Sequence, residues 1–95
     1  MIIDERIFSG VDLNLLLVFM VIYREKNLSR AARCLDVRQP AVSGSLSRLR
    51  LKFNDTLFLS EGPKGVRPTQ RANELAEVLL PALSTIQMLI KAGLK

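Results

Sequence analysis

Taken as a string of apolar and polar positions, the chain divides into segments with different periods. Met1 to Gly10 has no clear period and ends in Ser-Gly, so residues 1–11 are expected to form an arm outside the folded body. Leu13, Leu16, Phe19 and Ile22 then recur every three residues, with Leu15, Leu17, Val18 and Met20 widening the stripe. This predicts a helix from about Asp12 to Arg24, capped by Asp12 or Asn14. So broad an apolar face is packed on more than one side. It serves one monomer core, or part of it meets a partner subunit.

The next stretch, Asn27 to Phe53, reads as helix, tight turn and helix. Asn27 is a good N-cap, and Ala31, Ala32 and Leu35 form a short apolar face with small residues where another helix must come close. Asp36-Val37-Arg38 is long enough only for a turn, and Asp tolerates positive φ. Pro40 restarts a helix where a missing N–H costs nothing. Val42, Leu46, Leu49 and Phe53 then recur at four, three and four, which is one buried stripe. Gln39, Ser43 and Ser47 are assigned off that stripe, followed by Arg48, Arg50 and Lys52. The outer surface is therefore polar and basic, as a major-groove reader requires.

After the turn Asn54-Asp55-Thr56, the run Leu57 to Ser60 predicts a strand, Glu61 to Gly65 a hairpin tip, and Val66-Arg67-Pro68 the returning strand. Such a wing can lay Lys64 and Arg67 on a DNA backbone; a plain surface hairpin is the alternative. From Thr69, a plausible N-cap, Leu75, Val78, Leu79, Ala82, Leu83, Ile86, Leu89 and Ile90 continue at threes and fours. A helix over residues 69–95 would be about 40 Å long at ~1.5 Å per residue, longer than the small body that carries it. Leu75, Leu79, Leu83, Ile86 and Ile90 are therefore assigned to dimerisation. The alternative is a helix folded back on its own domain. Pro81 removes one hydrogen bond and is expected to bend the helix. The pattern reaches Lys95 without a cap, so the chain is expected to be a piece of a longer protein.

Charge sharpens this picture. The net charge is +5, but between Arg24 and Arg71 eleven basic residues face four acids, giving +7, while the flanks carry −2. Basic charge concentrated on a helix-turn-helix points to nucleic acid. The single cysteine, Cys34, excludes an internal disulfide and fits a reducing cytoplasm. It is read as a small buried or half-buried residue rather than a reactive thiol. No unbroken apolar run approaches ~18 residues, and no secretory pattern opens the chain, so no membrane partner is expected. With no histidine, no glycine-rich phosphate loop, no metal-ligand cluster and scattered carboxylates, neither enzyme activity nor a metal or other cofactor is expected.

Several short motifs now fall into a known order. They are Asp12-Leu13-Asn14, Ala31-Ala32-Arg33-Cys34-Leu35, Gln39-Pro40-Ala41-Val42-Ser43, Leu57-Phe58 and Val66-Arg67-Pro68-Thr69. Together they resemble the N-terminal DNA-binding domain of LysR-type bacterial transcription regulators over residues 12 to about 90. Gly44 to Phe53 followed by Leu57-Phe58 is similar to the branch containing NodD and LeuO. The resemblance implies a mainly α fold, a winged helix-turn-helix over residues 12–68 with a β-hairpin wing and a linker/dimerisation helix over 69–95. It also implies a homodimer on double-stranded DNA, a homotetramer in a full protein, and a separate effector-binding domain for a small molecule, absent from this chain. It places Gln39, Pro40 and Ser43 in the major groove, Asn27, Ser29 and Arg33 near phosphates, and Lys64 at the wing. With Arg38, Gly44, Ser47, Arg48, Lys52 and Arg67 these make up the candidate DNA-binding set. Two departures bear on specificity: many members carry Arg where this chain has Gly44 and Ser60. A winged helix used only for protein contacts is the rival function.

Overall fold

The computed structural model describes residues 1–93. The first helix, α1, is Asn14–Glu25, and Asp12 Oδ1 accepts from the Asn14 amide at 2.9 Å. Its buried side is Leu15, Phe19, Val21 and Ile22, whereas Leu13 is 55% exposed. The strict three-residue repeat expected from Leu13 does not hold, because steps of three drift around a helix of ~3.6 residues per turn. The stripe that packs runs Leu15, Phe19, Ile22. Lys26 closes the helix at φ 55, its N–H bonding the Ile22 carbonyl.

The second helix, α2, is Leu28–Leu35, with Asn27 Oδ1 accepting from the Arg30 amide at 2.9 Å and Asp36 ending it at φ 56. Ala31 and Ala32 are buried. Cys34 is exposed, against expectation, because the alanines and Leu35 occupy the inner side of so short a helix. The third, α3, is Gln39–Phe53, with Pro40 in its first turn and Val42, Leu46 and Leu49 buried. No side chain caps its start.

The hairpin pairs β1, Phe58–Ser60, with β2, Val66–Pro68, antiparallel, with Phe58 opposite Pro68 and Ser60 opposite Val66. Leu57 lies outside the strand that was expected to include it. Its φ is 63, an uncommon value for a bulky residue, and its side chain is fully buried in the core. Asp55 holds it there: one carboxylate oxygen accepts from the Leu57 amide and from the Thr69 hydroxyl, both at 2.8 Å. The Leu57 amide and the Thr69 hydroxyl keep the Asp55 carboxyl below the usual carboxylate range. Thr69 in turn caps the fourth helix, α4, Gln70–Gly93, accepting from the Ala72 amide at 3.1 Å. Gly65 turns the tip back at φ 103 beside the end of α1, where the Val66 amide bonds the Lys26 carbonyl at 2.9 Å. A side chain at Gly65 would collide with that carbonyl oxygen.

Phe19, Phe58 and Tyr23 form the aromatic centre, with Phe19 and Phe58 centroids 5.4 Å apart. The Tyr23 hydroxyl donates to Asn73 Oδ1 at 2.7 Å and ties α1 to α4. Ala72 and Ala76 are buried against the body, and Leu75 and Leu79 pack partly buried on its core. Those two residues therefore serve this chain's own fold, a correction to their assignment as dimerisation contacts alone. Farther along, Leu83 is half-buried, while Ile86, Met88, Leu89 and Ile90 are each half or more exposed. The helix runs unbroken through Pro81. An 18-residue window of α4 has mean hydropathy 1.4, enough by length and composition to cross a membrane, although polar residues interrupt its apolar runs. The expected linker over 69–95 has its last two residues outside those described. In the arm, Asp4 caps a short 3-10 turn, Glu5–Phe8, with no buried residue.

Candidate nucleic-acid interface

The starts of α2 and α3 meet across the turn at Asp36. The Ser29 hydroxyl donates to Gln39 Oε1 at 2.7 Å. Gln39 lies seven residues before Leu46, two turns back on the same side of α3, so it is not off the buried stripe as expected. It stands at the exposed end of that stripe and turns toward α2. The outward face of α3 is Pro40, Ser43, Ser47 and Arg48, all exposed. Ser47 donates back to the Ser43 carbonyl at 3.1 Å, so its proton is already used. Gly44 lies on this outward side, and nothing comes within 4 Å of where its Cβ would be. Packing does not require a glycine there.

The basic residues divide by their partners. Arg33, Arg38, Arg48, Lys52 and Lys64 are exposed and form no ion pair among the described residues. Arg67, expected to contact the backbone, reaches Glu61 across the hairpin at 3.4 Å, which leaves Lys64 as the unpaired cation of the wing. Asn27 commits its side-chain oxygen to the α2 cap, and its amide nitrogen can donate to a ligand. Lys26 is turned inward: its Nζ sits 3.7 Å from the Tyr23 ring centroid and donates to the Tyr23 carbonyl, and burial lowers its pKa.

Arg50 was grouped with the outer basic surface and does not belong to it. Its guanidinium donates to the Thr56 carbonyl at 2.7 Å and to the Phe58 carbonyl at 2.9 Å. Its place in the sequence carried the signal: four residues after Leu46, it falls beside the buried stripe. Together these elements frame a cleft of about 180 Å³ between α2, α3 and the wing, lined by Asn27, Ser29, Gln39, Ser60, Gly62 and Gly65 among others.

Residues 13–73 match the family model described as "Bacterial regulatory helix-turn-helix protein, lysR family". The chain belongs to the LysR family. Among its LysR-family relatives, the HTH-type transcriptional regulator LeuO of Escherichia coli (strain K12) is 47% identical over 77 residues, covering 81% of this chain and 24% of LeuO. Nodulation protein D 2 of Rhizobium tropici is 45% identical over 83 residues, covering 87% of this chain and 26% of that protein. The crystal structure of the probable transcriptional regulator PA0477 from Pseudomonas aeruginosa matches with a TM-score of 0.79 at 42% identity, over 85% of this chain and 27% of that one. The chain thus spans about a quarter of the length of these relatives. The winged helix-turn-helix of this LysR-family chain is the fold its sequence led us to expect.

Proposed function

We propose that this chain binds double-stranded DNA sequence-specifically, as the DNA-reading part of a bacterial transcription regulator. α3 enters the major groove and the wing lies on the backbone. The observation that carries this is the outward face of α3, exposed and uncapped at its start, flanked by cations that form no ion pair among the described residues. Pro40 and Ser43 would meet base edges with Gln39, Gly44 would let the backbone come close, and Arg33, Arg38, Arg48, Lys52 and Lys64 would meet phosphates. Asn27, Ser47 and Arg67 keep supporting places at the edge of this surface. Binding, rather than catalysis, is the role of every group named.

The exposed half of α4 supports a homodimer through Leu83, Ile86 and Ile90, which would bring two recognition helices to two half-sites. A membrane span fits α4 less well, since its first turns are fastened to the body through Ala72, Ala76 and Asn73. A homotetramer, a small-molecule effector domain and a cytoplasmic location follow from the family and extend the same proposal. Leu51, 84% exposed on α3, favours a second reading, a winged helix used for protein contacts. Five unpaired cations around one helix weigh more than one leucine. Selection of bound duplexes from a random pool tests the choice: enrichment of an inverted repeat is expected, and recovery of no preferred sequence would contradict it.

A further inference from the structure

The Ser29–Gln39 hydrogen bond reaches beyond local packing. A glutamine amide has one acceptor oxygen and two donor hydrogens, and its bidentate pairing with adenine uses both kinds, oxygen to N6 and nitrogen to N7. Here the oxygen is turned toward α2, 2.7 Å from the Ser29 hydroxyl, and both residues are exposed at the mouth of the cleft. The oxygen has a second lone pair, but both lone pairs lie on the side turned toward α2, so what Gln39 turns to a ligand is the pair of N–H donors. The Ser29 hydroxyl has one proton and gives it to Gln39, so it has none left to donate to a phosphate.

We propose that Ser29 is a positioning residue that sets the base preference of Gln39, holding its amide so that only donors face the major groove and guanine is chosen over adenine. Guanine presents two neighbouring acceptors, N7 and O6, in that groove. Adenine presents N7 beside the N6 donor, which would meet another donor. Ser29 achieves this without touching the base. The proposal rests on the DNA-binding reading above, and goes beyond it in naming the base and the residue that selects it.

The test is selection from a random duplex pool by the parent chain and by Gln39→Ala, Ser29→Ala, Ser29→Thr and Ser29→Val, each checked for helical content. Gln39→Ala identifies the base pair by the position at which preference relaxes. The parent is expected to select guanine there. Ser29→Ala should raise the adenine-to-guanine ratio at that pair on the order of tenfold, since the released amide can turn. Ser29→Thr keeps the hydroxyl and should keep guanine. Ser29→Val, with nearly the shape of threonine and no hydroxyl, should behave like alanine, which separates hydrogen bonding from packing. Adenine preferred by the parent at that pair overturns the proposal and leaves DNA binding intact. So does an unchanged preference in the alanine and valine variants with affinity lowered uniformly, or Gln39→Ala relaxing no position. A parent that selects no sequence removes the DNA-binding reading itself.

Discussion

Replacing Arg50 by alanine separates a basic residue that holds the fold together from one that holds DNA. The hydrogen bonds that flank the hairpin ladder join Leu57 with Thr69 and Glu61 with Gly65, and bonded pairs alternate with non-bonded ones, so Phe58, opposite Pro68, turns its carbonyl away from β2. Arg50 is its donor, at 2.9 Å, and also donates to Thr56 at 2.7 Å. Hydrogen bonds to a charged group contribute about 1.5–3 kcal/mol each, and Arg50 is half-buried, so the pair is taken near the low end, at roughly 3 kcal/mol. For a domain of this size that lowers the melting temperature by roughly 10 °C or more. The assay is thermal and urea unfolding of Arg50→Ala beside the parent, with DNA affinity measured over a salt series at a temperature where both are folded. The variant should be less stable, and its dependence on salt should be unchanged, because no phosphate contact has been lost. A variant as stable as the parent, whose log–log salt slope falls by about 0.9, would make Arg50 a phosphate ligand and refute the clamp.

Other substitutions probe the remaining parts. Gly65→Ala forces a side chain into φ 103 and against the Lys26 carbonyl, and should cost at least about 1–3 kcal/mol in unfolding experiments while loosening the wing from α1. Gly44→Ala meets open space in a helix interior and should stabilise by about 0.5–1 kcal/mol; weaker DNA binding despite that gain would mark close backbone approach at Gly44. Asp55 has a folded pKa below its ordinary 3.8, so its contribution is present above that value and is lost as pH falls through the folded one. Urea midpoints of parent and Asp55→Asn should therefore differ at neutral pH and converge in acid. Ile86→Glu with Ile90→Glu removes two side chains whose burial stabilises by about 1.5–3 kcal/mol each. Sedimentation should then give monomers of unchanged helical content, against a parent dimer at micromolar concentration.

The parts of this fold that follow local rules were legible in the sequence. Asn27, Asp36 and Pro40 mark their helix ends by capping, left-handed backbone and a missing N–H, and the α3 stripe follows helical periodicity without interruption. The glycines and proline of the wing likewise place its turn. What was missed depends on contacts between elements. Charge alone cannot distinguish Arg50 from Arg48; the spacing from Leu46 sets Arg50 beside the buried stripe, and the approach of β1 then makes it a clamp while Arg48 stays in solvent. Leu57 looked like a strand residue because its neighbours are apolar, yet Asp55 and Thr69 hold it in a left-handed conformation. The stripe on α4 showed no break between the half packed on the body and the half left exposed, since both use the same residue types at the same spacing. In the candidate interface, residue types and their order were readable; the ties of Gln39 to Ser29 and of Arg67 to Glu61 arise only when separate elements meet in the folded chain.

The surface formed by α3, the start of α2 and the wing is proposed as a duplex-DNA interface. Its most direct test is the binding constant of the chain for a labelled DNA duplex over a range of salt concentrations. With Arg33, Arg38, Arg48, Lys52 and Lys64 meeting phosphates, the log of that constant should fall by roughly 0.9 per neutralised phosphate for each log unit of salt. Lys64→Ala should then reduce the slope by about one such step. A binding constant that stays level from low to physiological salt, or no measurable binding at low salt, would contradict it.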